Sequence, residues 1–232
     1  MDGGLGMAQL GRYEDFLDRV DELGFMAFSS ILPGFPSLSE ETPSRIWHTG
    51  DHEYDPWRWK DRAAEDKRLA FGCILGGHKG FISSRMYPLF YKAFHPREHM
   101  EERRAAGQVN QTVWQLWQLF ETKTLMDTGD IRRYSGVTKK KGAGRVDTAI
   151  AELERTFHIT VAGSRQRIDK FGQPYGWHIN VYDMVENWAP EGWLTGNTGM
   201  NTGDARESIL DAAVAMGRNL DRDALARKLG IY

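Results

Sequence analysis

The sequence predicts a mixed α+β fold, with three helices and a β-hairpin near its centre. Apolar residues recur at helical spacing in segments 112–120 and 144–157. Two strand-like segments, 158–163 and 175–182, then follow on either side of a charged loop. This order of elements predicts a winged helix-turn-helix, preceded by an irregular, aromatic-rich α+β region.

The aromatic-rich region contains one clear helix and one clear hairpin. Segment 13–24 places Phe16, Leu17 and Val20 on one face and ends at Gly24, which is typical of a helix C-cap. Segment 70–83 predicts two strands that turn around the glycines between Gly76 and Gly80. A phosphate-binding loop is not predicted there, because no helix start with Lys-Ser/Thr follows.

The predicted winged helix is built from three amphipathic helices. The first presents Val113, Leu116 and Phe120 on one face, and a short second helix is expected over 128–135. A basic loop, 138–142, leads into the third helix, which presents Val146, Ile150 and Leu153 to the same core.

Composition shifts divide the chain into five segments. They are a disordered leader (1–11), the aromatic-rich N-terminal region (12–107), the winged-helix domain (108–193), a polar linker (194–203) and a C-terminal helical segment (204–232). Two short helices are expected in the last segment, at 208–216 and 221–230.

Composition also restricts the location of the protein. The chain has 232 residues, and no apolar run approaches the ~20 residues that a membrane helix needs. Its first residues do not form a cationic and then apolar secretory signal. The single cysteine, Cys73, excludes an internal disulfide. These features predict a cytoplasmic protein with no membrane partner, and they leave its oligomeric state open.

Positive charge is concentrated in the predicted winged helix. Segment 132–170 carries ten Lys and Arg against four Asp and Glu, which leaves a net −8 for the rest of a chain whose net charge is −2. A local positive field favours a polyanion, and double-stranded DNA is the predicted partner. The alternative is a solvated charged face. The predicted DNA-contacting cations are Arg132, Arg133, Lys139, Lys140, Lys141, Arg145, Arg165, Arg167 and Lys170.

Acidic residues on the third helix limit how that helix would contact DNA. Asp147, Glu152 and Glu154 are expected on its solvent face, where they would repel a DNA groove. The sequence therefore favours a grip on the DNA backbone through the basic loop and the wing. The same acidic face leaves a protein-interaction module open as an alternative.

Two tryptophans alternate with cations in the N-terminal region. Trp57 and Trp59 are flanked by Arg58 and Lys60, a pattern that can stack an extruded base while cations hold its backbone. The alternative is that both indoles belong to the core.

Neither histidine cluster predicts a metal site. His95, Glu98 and His99 have the order of one class of zinc peptidase, but Pro96 fits only a helix start and no third ligand follows. The residues around His48 and His52 predict a turn in which Asp55 caps the next helix. The alternative is that His48, Asp51, His52 and Asp55 bind a divalent ion, or that His52 and Asp55 act as an acid/base pair. We therefore predict no metal and no cofactor.

Several segments resemble a known family. Segment 130–163, with Tyr182 closing the wing, resembles the winged-helix modules of the bacterial AlkZ-like (YcaQ-like) family. Segments 49–60, 80–83 and 87–91 are similar to short proteins described as AlkZ-related, and this similarity covers about residues 13–193. The resemblance implies DNA binding linked to the repair of alkylated DNA.

Some members of that family are DNA glycosylases, which hydrolyse the N-glycosidic bond of alkylated bases. The resemblance places their water-positioning motif at Gln108-Val109-Asn110, with Gln108 and Asn110 as the candidate catalytic residues. Asn110 stands where the family has glutamine or aspartate, and its amide cannot act as a base. An active glycosylase is therefore kept as the alternative to a binding protein.

Overall fold

The computed structural model describes residues 9–137, 142–196, 199–217 and 219–231. The predicted leader lies mostly outside these ranges, but Leu10 is already buried and its N–H donates to the Glu41 carbonyl at 2.8 Å. Up to Ala105 the elements are α1 (Tyr13–Leu23), β1 (Phe25–Ala27), α2 (Leu38–Glu41), a 3₁₀ turn (Ser44–Ile46), α3 (Pro56–Glu65), β2 (Leu69–Leu75), β3 (His78–Ser83), α4 (Tyr87–Phe94) and α5 (Met100–Ala105).

The N-terminal region is organised around a three-stranded antiparallel sheet of order β1-β3-β2. The predicted hairpin is confirmed, with β2 and β3 joined through Gly76 and Gly77. The predicted first helix is also confirmed and ends at Gly24, whose φ of 92° favours glycine. The helix packs on the sheet through Phe16, whose ring lies 4.8 Å from that of Phe81.

The second part of the chain has a helix-strand-helix-helix-hairpin order. Its elements are α6 (Gln111–Thr122), β4 (Met126–Asp127), α7 (Thr128–Tyr134), α8 (Ala143–Arg155), β5 (Ile159–Ile168), β6 (Pro174–Met184) and α9 (Val185–Trp188). The strands form a second antiparallel sheet of order β4-β6-β5. The fold is thus mixed α+β, as predicted, with small antiparallel sheets.

The β5–β6 hairpin is longer than the sequence suggested. The predicted charged loop, 164–173, shrinks to the turn between Ile168 and Pro174, and Arg165 and Arg167 lie on β5. Strand pairing continues because these residues have cross-strand partners, Ile179 for Arg165 and Tyr175 for Arg167. A register shift falls between the two arginines, where the Gln166 amide donates to the Gly176 carbonyl at 2.8 Å.

One hydrophobic cluster joins the two parts of the chain. Trp59 of α3 stacks on Phe16 with ring centroids 5.6 Å apart, and both are fully buried. The same cluster contains buried residues of the second part, among them Leu116, Leu153 and Ile159. Burial of this apolar surface fixes α3 and the first sheet beside α6, α8 and β5.

The C-terminal segment forms α10 (Thr202–Ala215) and α11 (Arg222–Leu229). Both predicted helices are confirmed, although the first starts inside the predicted linker, with Asn201 as its N-cap. They complete a second hydrophobic cluster with α4, which includes Phe90, Ile209 and Leu225. The β2–β3 turn packs against α11 so closely that a Cβ on Gly76 would lie 2.2 Å from the Lys228 carbonyl oxygen.

Candidate nucleic-acid interface

A groove of about 600 Å³ separates α7 from the β5–β6 hairpin. Its walls combine charged side chains with apolar ones from both elements. They include Asp127, Asp130, Arg132, Arg133, Arg165, Arg167, Ile168, Tyr175 and Ile179. The structure therefore brings four of the predicted site residues together, the arginines at 132, 133, 165 and 167, whereas Arg145 and Lys170 do not line this groove.

Arg165 connects the hairpin to the start of α7. Its Nη1 lies 3.2 Å from Asp127 Oδ2 and 3.1 Å from Asp130 Oδ2, and its Nη2 donates to the Leu125 carbonyl at 3.2 Å. Arg133 also pairs with Asp130. Because two carboxylates already balance these cations, a phosphate would have to compete for them.

The acidic character of α8 is weaker than the sequence suggested. Asp147 pairs with Arg132, whose Nη2 lies 2.6 Å from Asp147 Oδ1, and Glu152 pairs with Arg155. Glu154 is not on the solvent face as predicted, since it is 3% exposed and faces β2. In the N-terminal half of α8, the solvent-exposed face includes two small residues, Gly144 and Thr148.

Glu154 is a buried carboxyl that forms no ion pair within the described part of the chain. Its Oε1 accepts the Cys73 backbone N–H at 3.3 Å, and a Cβ on Gly72 would lie 2.5 Å from the same oxygen. Burial raises the pKa of Glu154 to about 7, although the hydrogen bonds from Cys73 oppose the shift. This side chain therefore joins α8 to the first sheet.

Three predicted cations have no ion pair within the described part of the chain. Arg145 is exposed at the start of α8, Arg167 is exposed on β5, and Lys170 is exposed at the hairpin tip. The ammonium of Lys170 lies 4.8 Å from the ring centroid of Phe171. Lys139, Lys140 and Lys141 lie outside the described residues.

The hairpin tip presents an aromatic ring that sequence reasoning missed. Asp169 Oδ1 accepts the Phe171 N–H at 2.8 Å and the Gln173 N–H at 2.9 Å, which closes the turn. Phe171 is 75% exposed, and about half or more of the surface of Ile168, Tyr175 and Trp177 is also exposed, at 58%, 50% and 59%. In the sequence, Ile168 and Phe171 fall in the segment predicted as a charged loop, whereas Tyr175 and Trp177 fall in the predicted second strand.

The two tryptophans singled out from the sequence lie in different environments. Trp59 is fully buried and its Nε1 donates to the Glu53 carbonyl at 2.9 Å, so its ring cannot stack on an extruded base. Trp57 is partly exposed, and the Lys60 ammonium lies 4.8 Å from its ring centroid. Its ring also lies 6.3 Å from Trp177 of β6, centroid to centroid.

The loop before α3 is organised by Asp55, as predicted. Its carboxylate accepts the N–H groups of His48, Gly50 and Trp57 at 2.8–2.9 Å. His99 is the N-cap of α5, so His95 and His99 do not share a helical turn. Among the described residues, no group of three or more His, Cys, Asp or Glu side chains is placed to hold a metal ion.

The family comparison extends the resemblance beyond the segments that suggested it. The model of the family described as AlkZ related matches residues 10–230, which is nearly the whole chain.

The chain belongs to the AlkZ-related family.

Comparison with curated proteins and with solved structures gave no significant match. The family match includes α10 and α11, so the C-terminal helices lie within the region that the AlkZ-related family model covers. None of the helices described for this AlkZ-related protein combines enough length with enough apolar residues to cross a membrane.

The two candidate catalytic residues of this AlkZ-related protein lie just before α6. Asn110 is the N-cap, and its Oδ1 accepts the N–H groups of Thr112 and Val113, both at 3.0 Å. Gln108 is exposed and does not line the groove beside α7. The Asn110 oxygen is thus engaged in capping, and a role in water activation stays a prediction for Gln108.

Proposed function

We propose that this AlkZ-related protein binds double-stranded DNA through a winged helix formed by α6, α7, α8 and the β4-β6-β5 sheet. Membership of the family supports a role linked to DNA repair. In this proposal α8 is the helix nearest the DNA, and the β5–β6 hairpin is the wing. The division into an aromatic-rich region, a winged helix and a C-terminal helical segment belongs to the same proposal.

The observation that carries the proposal is that two exposed cations of the hairpin form no ion pair within the described part of the chain. Arg167 and Lys170 are exposed there without an ion pair in the described part of the chain, whereas Arg132, Arg133 and Arg165 are paired with aspartates. Cations held free of carboxylates on a protruding hairpin suit phosphate groups, which bring negative charge and release counterions on binding. Arg145 at the start of α8 adds a third such cation, beside the helix N-terminus.

The proposed contact is with the backbone and not with base edges. The exposed part of α8 carries paired charges, Arg132 with Asp147 and Arg155 with Glu152, beside the small residues Gly144 and Thr148. Such a face has few groups that are free to donate or accept hydrogen bonds in the major groove. We therefore expect affinity with little sequence preference. Arg165 has a structural part in this proposal, because it fixes the angle between the hairpin and α7.

Trp57 has a secondary part in the same proposal. Its partly exposed ring lies beside the wing residue Trp177, which is 59% exposed. Two neighbouring indoles offer a stacking surface for an unpaired base next to the backbone contacts. Trp59 is left out, since it is a core residue.

The experiment that tests the proposal is a binding titration with a fluorescent duplex at about 50 mM and about 200 mM salt. We expect binding that weakens steeply with salt, and Arg167→Ala and Lys170→Ala should each reduce the logarithmic salt slope by about one. Arg227→Ala removes an exposed cation of α11 and is the matched control. The proposal fails if the duplex does not bind at low salt, or if a variant that carries both Arg167→Ala and Lys170→Ala binds as the unmodified protein does.

Glycosylase activity is a separate hypothesis with its own test. Alkylated duplex is incubated with the protein, and released base is measured by chromatography. Water positioning by Gln108 predicts that release stops in Gln108→Ala and continues in Gln111→Ala. Equal release from both variants would remove Gln108 from the mechanism without touching the binding proposal.

A further inference from the structure

A cleft of about 550 Å³ opens between the start of α5, one face of α6 and the end of β6. His95, His158, Trp117, Phe120 and Met184 line its inner part. His158 follows the C-terminal end of α8, whereas the proposed DNA contacts lie at the N-terminal end of α8 and on the hairpin. The cleft is therefore separate from the proposed interface and does not depend on it.

His158 lines this cleft, and one of its ring nitrogens has no hydrogen-bond partner among the described residues. The residue is only 6% exposed, and its Nδ1 lies 2.9 Å from Thr156 Oγ1. The Thr156 hydroxyl already donates to the Glu152 carbonyl at 2.8 Å, so its oxygen accepts the N–H of His158 Nδ1. The Nε2 of His158 is thus unprotonated and can accept a hydrogen bond, and no described residue donates one to it.

His95 stands beside His158 without adding positive charge. The ring centroids are 4.8 Å apart, and His95 Nδ1 lies 3.2 Å from the Thr156 carbonyl, to which it donates. Burial lowers the pKa of both imidazoles, that of His158 to about 3. Both rings are therefore neutral near pH 7.

The rim of the cleft is acidic. Glu98, Glu101, Glu121 and Glu186 all line it, and none of them has an ion pair within the described part of the chain. The pKa of Glu186 is raised, first by partial desolvation and then by the charge of Glu121. Arg97 is the cation that lines the cleft, and its guanidinium donates to Thr202 of α10 at 3.4 Å.

An aromatic wall completes the cleft. Trp117 is partly exposed and stacks on Trp114, with ring centroids 5.1 Å apart and planes 28° apart. The stack holds the Trp117 ring in place, and an indole face attracts cations. Acceptor nitrogen, carboxylates and an indole face together select a ligand that is cationic, flat and rich in N–H donors.

We propose that this cleft binds a small organic cation of the amidinium or guanidinium class. Its N–H groups would donate to His158 Nε2 and to the carboxylates of Glu121 and Glu186, with Trp117 against its face. A metal ion fits less well, because no group of three or more ligating side chains is placed to hold one among the described residues.

The test uses benzamidine and its neutral analogue benzamide, titrated into DNA-free protein by calorimetry at pH 7 and low salt. We expect saturable binding of benzamidine and none of benzamide. Tetramethylammonium, a cation without N–H donors, should bind at least about fivefold more weakly.

Variants locate the site. Glu121→Gln and Glu186→Gln should each weaken benzamidine binding by about fivefold, the upper range for a partly exposed charge pair. Glu191→Gln, an exposed position outside the cleft, should leave it unchanged. Equal affinity for benzamide and benzamidine, no binding of benzamidine, or binding that both cleft variants leave intact would overturn the proposal. Since no DNA is present, none of these outcomes bears on the DNA-binding proposal.

Discussion

Glu65 of α3 accepts two hydrogen bonds from Ser164 of β5, one from the backbone N–H at 2.8 Å and one from the hydroxyl at 3.0 Å. The neighbouring Gly163 leaves room for this contact, since a Cβ there would lie 2.8 Å from Glu65 Cγ. The hairpin is therefore anchored at its base to the N-terminal region, while its tip extends to the solvent.

We expect Glu65→Ala to lower the free energy of unfolding by about 1–2 kcal/mol, because it removes both hydrogen bonds at once. Glu65→Gln keeps an acceptor oxygen and should cost less than about half as much. Urea denaturation followed by circular dichroism measures both, with Glu191→Ala as the exposed control. Equal effects of the alanine and glutamine variants would contradict the role given to the Glu65 oxygen.

Asp147→Asn should tighten DNA binding. The substitution removes an exposed carboxylate from α8 and releases Arg132, whose Nη2 lies 2.6 Å from Asp147 Oδ1. The gain should be about two- to fivefold at low salt and should shrink as salt screens the charges. Asp211→Asn, which removes one of the two carboxylates paired with Arg222 on the C-terminal helices, is the matched control for the change in net charge. Weaker binding by Asp147→Asn would show that the pair itself supports the interface.

Glu154 should make stability depend on pH. Its pKa is raised from 4.5 to about 7 by burial, so the folded protein holds a proton that the unfolded chain releases. The stability that the protonated Glu154 carboxyl contributes is therefore fully present below about pH 4.5 and is lost as the pH rises through about 7. Glu154→Gln should flatten this dependence and should be the more stable form at pH 8, by roughly 3 kcal/mol at most. Unfolding free energies at pH 5.5 and pH 8 check this, with Glu152→Gln as control. A pH dependence that survives in Glu154→Gln would assign it to another group.

Substitution to leucine should destabilise the protein much more at Trp59 than at Trp177. Trp59→Leu opens space in a fully buried aromatic cluster and should cost about 3 kcal/mol of stability. Trp177→Leu, at a 59% exposed position, should cost less than about 1 kcal/mol. Thermal unfolding measures both. DNA binding measured on the two folded variants then separates a core role from an interface role, and a large loss of stability in Trp177→Leu would move that residue into the core.

The elements that the sequence predicted are those with a local signal. Helix α6, helix α8 and the β2–β3 hairpin have apolar residues at regular spacing, which depends only on nearby residues. Strands β1 and β4 have no such signal, because they span three and two residues and are defined by pairing with distant strands. Their existence depends on tertiary structure.

The sequence indicates which cations belong to the candidate interface, but it does not show which carboxylates they pair with. The run of cations between Arg132 and Lys170 was visible in the sequence, yet the sequence does not show that Arg165 faces Asp127 across 38 positions. The helix period predicts Glu154 on the solvent face, because it carries no information about β2, which covers this residue. Phe171 was hidden by the charged residues around it, and only the hydrogen bonds of Asp169 reveal how the tip presents its ring.

The close contact between Gly76 and Lys228 also bears on how the chain folds during synthesis. The turn of the first hairpin is made early, but the helix that covers it is made more than half the chain later. Contacts of such long range form slowly, and apolar surface stays exposed until the segment that covers it has been made. The N-terminal sheet and α4 therefore stay incompletely covered during synthesis until α10 and α11 have been made.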